Sequence, residues 1–78
     1  MNRSQLTKLA AFYGCHIDRT FSGHYGTIHT IHIKSPDYGS EETIREDDLG
    51  YKKAQDIVPI LEQLSGKKTA DLWKVSKP

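Results

Sequence analysis

The side chains best suited to chemistry are the imidazoles, and two of the four histidines lie in the segment GTIHTIHIK, residues 26–34. His29 and His32 are three residues apart. In a strand this spacing places two side chains on opposite faces, where they cannot share a metal ion. The isoleucines and threonines around them favour a strand over a helix. The segment by itself therefore predicts a strand rather than a metal site.

A pair of histidines across two strands is the remaining metal candidate. If the neighbouring strand-like segments pair with Phe21 opposite Thr27, then His16 lies opposite His32, with Asp18 on the same face. Two imidazoles and a carboxylate are suitable zinc ligands. Nothing else in the sequence converges on this pair. We therefore predict two solvent-facing histidines and neither a metal nor a cofactor, with His16 and His32 as the metal candidates.

His24 lies in the segment SGHYG, which predicts a hairpin loop because it contains two glycines. A loop imidazole with Ser22, Tyr25 and Arg19 nearby could act as a general acid or base. An exposed polar loop residue is the alternative. The chain has no nucleophile elbow, glycine-rich phosphate loop, HExxH or CxxC motif. An enzymatic function would therefore depend on His24.

Charge is unevenly distributed along the chain. The net charge of +1 argues against a protein whose main role is to grip a phosphate backbone. Residues 40–50, however, hold five carboxylates against one arginine. These are Glu41, Glu42, Glu46, Asp47 and Asp48. The segment is either a solvated loop and helix start or an acidic recognition face for a basic partner.

The N-terminal half predicts a helix followed by two strands. RSQLTKLAAFYG has apolar residues at helical spacing, with Ser4 as a candidate N-cap and Gly14 as a left-handed stop. CHIDRTF (15–21) and TIHTIHIK (27–34) are rich in residues typical of strands. With Phe21 opposite Thr27, the apolar side chains fall on one face, which supports that register. They are Cys15, Ile17, Phe21, Ile31 and Ile33.

The C-terminal half contains the longest apolar stripe. EETIRE is a third, edge strand or the first turn of a helix, and we favour the strand. DDLGYKKAQDIVPILEQLSG then predicts one long helix capped by Asp47 or Asp48, with a kink near Gln55–Val58 or a restart at Pro59. Its stripe comprises Tyr51, Ala54, Ile57, Val58, Leu61 and Leu64. In the tail, residues 67–78, Thr69 is a candidate cap for a short helix that packs Leu72, Trp73 or Val75 on the core; an extra strand is the alternative.

These elements predict a small α+β domain in α-β-β-β-α order. Two helices cover one face of an antiparallel sheet of two to three strands, and a short tail element follows. We expect one domain over residues 1–78, with a core at about 4–66. The single cysteine, Cys15, is expected to be buried in a protein of a reducing, cytoplasmic compartment. No apolar run is long enough to span a membrane, and no secretory signal is visible.

The order of helix, glycine, strand, Gly/Ser/His loop, two strands and a last helix ending ILEQLSG resembles the small HicA-type toxins. The resemblance covers residues 4–66 in outline. It implies a double-stranded-RNA-binding-like fold and cleavage of messenger RNA, with His24 in the histidine position. The family pattern reads Gly-Ser/Thr-His, whereas this chain has Ser22-Gly23-His24. Its third strand is apolar near a basic surface, whereas this chain has EETIREDD.

Two functions remain open from the sequence. The favoured one is a non-enzymatic accessory or inhibitor module that docks onto a protein partner, with a homodimer as a further option. Its surface would combine the five carboxylates with exposed aromatic residues, since tyrosine and tryptophan are frequent interface anchors. The aromatic residues are Tyr38 and Trp73, with Tyr25 as a further exposed ring. The alternative is nucleic-acid binding, with or without cleavage, through Arg3, Lys8, Arg19, Tyr25 and Lys34.

Overall fold

The computed structural model describes residues 1–68 and shows two main helices packed on one face of a three-stranded antiparallel sheet. The elements are α1 (Arg3–Phe12), β1 (His16–Ser22), β2 (Ile28–Lys34), β3 (Glu41–Arg45), the short α2 (Glu46–Leu49) and α3 (Ala54–Ser65). The strand order is β1-β2-β3, so the central strand, β2, pairs with both neighbours. The predicted α+β class and the third strand are confirmed. The predicted tail element and Trp73 lie outside the described residues.

The core lies between α1, α3 and the covered face of the sheet. Partly buried Ile17 of β1 and Ile44 of β3 pack against it, while its buried residues come from α1, the α1–β1 connection, β2, α2 and α3. They are Leu6, Ala10, Tyr13, Cys15, Ile31, Ile33, Leu49, Ile57 and Leu61. Burial raises the pKa of the Cys15 thiol, as expected for a cysteine that packs as a small apolar side chain. Within the described residues, no helix is long and apolar enough to cross a membrane.

The N-cap of the first helix lies two residues earlier than predicted. Asn2, not Ser4, is the N-cap: its Oδ1 accepts the Gln5 backbone N–H at 2.8 Å, and Gln5 Oε1 accepts the Asn2 N–H at 2.9 Å. This reciprocal pair is a capping box, which satisfies two donors that a helix start leaves free. Gly14 follows the helix with a φ of +75°, so the predicted left-handed stop is confirmed.

The predicted register between β1 and β2 is wrong by two residues. Phe21 lies opposite His29 rather than Thr27, and His16 lies opposite Lys34 rather than His32. The pairing begins with Ser22 opposite Ile28, because the turn needs positive φ at Gly23, Tyr25 and Gly26 and Ser22 stays in the strand. An even shift preserves the alternation of faces. The predicted apolar face is therefore retained, although Phe21 lies at its uncovered end and is more than half exposed.

A hydrogen-bonded loop sets the position of β3. Asp37 Oδ1 accepts the Ser35 hydroxyl at 2.7 Å and the Gly39 N–H at 2.9 Å, and Ser35 Oγ in turn accepts the Ser40 N–H at 3.0 Å. These bonds lower the pKa of Asp37 and satisfy Ser35, which is buried. The loop thereby returns the chain so that Ile44 lies opposite Ile31 on the covered face.

The long C-terminal helix of the prediction is two helices. α2 ends at Leu49, and α3 starts at Ala54, after Lys53 in an extended conformation whose N–H donates to Asp56 Oδ2 at 2.9 Å. Gly50 favours the break because glycine costs about 1 kcal/mol in a helix relative to alanine. α3 then continues through Pro59 without the predicted restart. The break also exposes Tyr51 and Ala54, so placing those two in the apolar stripe was wrong.

Candidate functional site

The two histidines proposed as metal ligands have separate environments. His32 lies on the open face, the face of the sheet that the helices do not cover. Its Nδ1 is 2.7 Å from Glu41 Oε2 and its Nε2 is 2.8 Å from Thr20 Oγ1. His16 stacks on the ring of Tyr38 with centroids 4.2 Å apart. The register that would have paired them is not the one adopted. Among the residues that the structure describes, no group of three or more histidine, cysteine or acidic side chains could hold a metal ion.

The hairpin loop presents His24 and Tyr25 to solvent. The two rings make an edge contact with centroids 5.3 Å apart, and Tyr25 is 96% exposed. Tyr25 also has a φ of 60°, which costs a non-glycine residue free energy. Arg19, expected near His24, instead directs its guanidinium to Glu46. Arg19 therefore does not join His24 in the predicted acid–base group.

The five predicted carboxylates divide into two paired and three unpaired groups. Glu41 contacts His32 on the open face, and Glu46 contacts cationic side chains beside the covered face. Glu42, Asp47 and Asp48 are exposed and form no ion pair with other described residues.

The predicted nucleic-acid contacts are also distributed over several surfaces. Lys34 pairs with Asp18 at 3.5 Å on the face of the sheet away from the helices. The hydrogen bond from the Arg19 backbone N–H, and after it the contact with Lys34, lower the pKa of Asp18. Lys8 lies on the outer surface of α1. Only Arg3 and Arg19 come together, at Glu46.

A group of charged and polar side chains, here called the Glu46 cluster, consists of Arg3, Arg19, His29 and Glu46. Arg19 Nη2 donates to Glu46 Oε2 at 2.8 Å, and His29 Nδ1 lies 3.0 Å from the same oxygen. Arg3 Nη1 is 3.8 Å from Glu46 Oε1. The cluster lies at the end of the sheet where Ser22 pairs with Ile28, which we call the hairpin end.

Topology brings these residues together. Arg19 and His29 lie on the covered face of β1 and β2, beyond the part that the helices bury. Arg3 begins α1, which runs antiparallel to β1 and so starts at the hairpin end. Glu46 is the first residue of α2, immediately after the edge strand β3. The cluster therefore requires the helix start, the hairpin and the β3–α2 junction to meet.

Glu46 fixes the protonation pattern of His29. Hydrogen bonds from Arg19 and then His29, together with the charges of Arg19 and Arg3, lower the pKa of Glu46, so its carboxylate only accepts hydrogen bonds. Nδ1 of His29 lies 3.0 Å from Glu46 Oε2 and 3.1 Å from Arg19 Nη2, so it either donates to the carboxylate or accepts from the guanidinium. Because a lone pair on Nδ1 would face the negatively charged Oε2, we assign the proton to Nδ1. In the neutral ring this leaves Nε2 as the lone-pair nitrogen. Nε2 makes no hydrogen bond within residues 1–68, and the side chain is 38% exposed.

Phe21 holds the guanidinium and the imidazole in place. The Arg19 Cζ lies 4.8 Å from the centroid of the Phe21 ring, and the same ring makes an edge contact with His29 at 4.7 Å. The Nε of Arg19 is buried and has no hydrogen-bond partner within residues 1–68. Such an unsatisfied donor is costly and tends to occur where function constrains a side chain.

The sequence contained part of the signal for this cluster. The predicted register placed Arg19 opposite His29, and the true register keeps them diagonal neighbours on one face. Glu46 was assigned to the acidic segment, because nothing in a linear sequence shows that it approaches a residue 27 positions earlier.

Comparisons with protein-family models, with curated proteins and with solved structures found no match to this chain. The resemblance to HicA-type toxins therefore stays a prediction from the residues quoted above.

Proposed function

We propose that the protein binds single-stranded RNA at the hairpin end, through the Glu46 cluster and Tyr25. The orientation of His29 carries the proposal. With its Nδ1–H directed to Glu46, the ring presents Nε2 as an exposed acceptor beside two guanidinium groups. A ribose 2′-hydroxyl next to a phosphate offers the complementary pattern, one donor beside one anion. The 2′-hydroxyl is the group by which proteins distinguish RNA from DNA.

Arg3 is the arginine best placed to take a phosphate oxygen. Its side chain is 47% exposed, and its 3.8 Å contact with Glu46 is longer than a hydrogen bond. Arg19 is committed to Glu46 through Nη2 and contributes positive charge while it holds His29 in position. Phosphate contacts of this kind fix a nucleic acid in place but do not read its sequence.

Tyr25 supports binding to unpaired bases. Its ring is almost fully exposed at the tip of the hairpin, where it covers no part of the core. Unstacked bases in single strands stack on aromatic side chains, at about 1–3 kcal/mol per base. A left-handed tyrosine in that position costs stability, which is expected where a side chain is retained for binding.

Cleavage is a further step that the same geometry would permit. His29 Nε2 would take the 2′-hydroxyl proton while the 2′-oxygen attacks phosphorus, the bond to the 5′-oxygen breaks, and that oxygen receives a proton from water. The products would be a 2′,3′-cyclic phosphate and a 5′-hydroxyl. This assigns the role of base to His29, whereas the family resemblance assigns the histidine role to His24.

Fluorescence anisotropy with labelled 12-nucleotide RNA and DNA of the same sequence, at about 50 mM salt, tests the proposal. We expect tighter binding of RNA, and a log–log salt slope near −0.7 for the one phosphate contact through Arg3. His29→Ala should remove the preference for RNA, while His24→Ala, the matched control in the loop, should retain it. Equal affinity for RNA and DNA in the wild type, or no binding, would contradict the proposal. Gel analysis of the same RNA reports cleavage.

Docking of a protein partner through the acidic segment is the second candidate. It is favoured by the three carboxylates without an ion pair among the described residues, Glu42, Asp47 and Asp48. Tyr51, which is 89% exposed, donates its N–H to the Asp48 carbonyl at 3.0 Å. Replacing these three acids with lysine should abolish capture of a defined partner from nuclease-treated host lysate without lowering the melting temperature. Glu46 is left unchanged because its replacement would also disrupt the cluster. Undiminished capture by the triple variant would count against this surface.

A further inference from the structure

An apolar groove lies between α1 and the segment that leads into α3, outside the Glu46 cluster. Its volume is about 600 Å³, within the range of 300–1,000 Å³ typical of ligand-binding clefts. Met1, Leu9, Phe12 and Ala54 provide its apolar lining. Phe12 is 54% exposed there, although a chain with so small a core would gain from burying it.

The backbone accounts for the groove. α3 begins only at Ala54, so the chain before it runs as a separate segment beside α1. The N-terminal ammonium of Met1 donates to the Lys52 carbonyl at 2.7 Å and holds that segment at the start of α1. The groove is therefore formed by two anchored elements.

Three lysines form the rim. Lys8 projects from α1, and Lys52 and Lys53 project from the facing segment. All three are exposed, and none forms an ion pair with another described residue. An apolar floor with a cationic rim selects an occupant that has a bulky apolar side chain flanked by carboxylates.

We propose that this groove binds an acidic segment of a partner protein, which inserts an aromatic or large aliphatic side chain against Phe12 and Leu9. Charge argues against the chain's own C-terminal residues as the occupant, since residues 67–78 carry four lysines and one aspartate. The lysine rim would attract RNA as well, but the floor of Met1, Leu9 and Phe12 suits an apolar side chain better than a ribose or a phosphate. The groove is thus a second surface that functions independently of the RNA-binding proposal.

Selection from an unbiased library of 12-residue displayed peptides against the full chain tests the proposal. Selected peptides should contain one or two large apolar residues flanked by aspartate or glutamate. Their affinity should fall at least tenfold for the variant in which Lys8, Lys52 and Lys53 are all changed to glutamate, and for Phe12→Ser. Phe12 is largely exposed, so both variants should retain the melting temperature and can be compared directly with the wild type. His29→Ala, which abolishes the proposed RNA preference, should leave peptide affinity unchanged.

Amide chemical-shift mapping with a selected peptide locates its binding site. Shifts confined to the outer surface of α1 and to residues 52–54 support the groove. Selected peptides without acidic enrichment, peptides that bind the charge-reversed variant equally well, or shifts centred elsewhere would overturn the proposal. So would a concentration-dependent shift of the groove amides without peptide, which would indicate a second copy as the occupant. A shift of those amides on deleting residues 69–78 would overturn it as well, because it would indicate the chain's own tail.

Discussion

Leu49 should couple the stability of the fold to the geometry of the Glu46 cluster. α2 has four residues, and an isolated helix of that length has no stability of its own in water. Its position therefore depends on Leu49, which is 1% exposed in the core. Glu46 lies one turn earlier on the same helix. Leu49→Ala should release this turn and with it the carboxylate that orients His29.

The cost can be estimated from burial. Replacing a fully buried leucine with alanine destabilises proteins by about 2.7–5 kcal/mol, and we expect about 3 kcal/mol here because the site borders a loop and can relax. A domain of 78 residues has a total stability of about 4–12 kcal/mol at 0.05–0.15 kcal/mol per residue. The substitution should therefore lower the melting temperature by roughly 12–24 °C, at 4–8 °C per kcal/mol.

Urea denaturation and NMR of the His29 ring nitrogens provide the two measurements. We expect a lower urea midpoint with an unchanged m-value, and loss of the fixed Nδ1–H tautomer. Leu49→Met, which nearly conserves volume, should cost less than about 1.5 kcal/mol and keep the tautomer. Leu64→Ala should destabilise the partly buried end of α3 without changing His29. A loss below about 1 kcal/mol for Leu49→Ala, or identical His29 spectra in both alanine variants, would refute the coupling.

Three further substitutions test the backbone and the charges. Gly23→Ala should destabilise the fold by more than about 1–2 kcal/mol, because its φ is +79° and a Cβ would lie 2.9 Å from Ile28 Cδ1. Gly66 has a φ of +72°, but a Cβ there would contact no residue of the described chain beyond its neighbours, so Gly66→Ala should cost less when both are measured by urea denaturation. Because the pKa of Glu46 is lowered from 4.5 in the fold, its carboxylate stabilises the protein above that pH and the contribution is lost as the pH falls through the folded pKa. The free energy of unfolding of Glu46→Gln should therefore decline less steeply below about pH 4.5 than that of the wild type. Parallel declines in the two proteins would contradict this. Tyr25→Asn should raise the free energy of unfolding by about 0.5–1 kcal/mol, since asparagine tolerates left-handed backbone better, and should weaken RNA binding; a stability loss would show that the tyrosine ring packs on the fold.

Two particular errors show where sequence reasoning about this chain stops. The register was missed by two residues because it depends on the backbone conformation from Gly23 to Gly26, where even Tyr25 is left-handed. The break between α2 and α3 was missed because the apolar spacing of the predicted long helix continues across Gly50. Only packing shows that Leu49 enters the core while Tyr51 does not. Neither error changed the fold class, since the alternation of faces survives an even shift.

The sequence by itself determined the first helix, the three strands that follow it and the faces of β1 and β2, because these follow from periodicities of two and 3.6 residues that each segment contains. Only the tertiary structure decided the Glu46 cluster and the lysine-rimmed groove. Glu46 reaches residues 17 and 27 positions earlier in the chain, and the Met1 ammonium reaches a carbonyl 51 positions later. Contacts at such separations depend on how the sheet, the hairpin and the helix starts meet at one end, and no local pattern specifies that meeting.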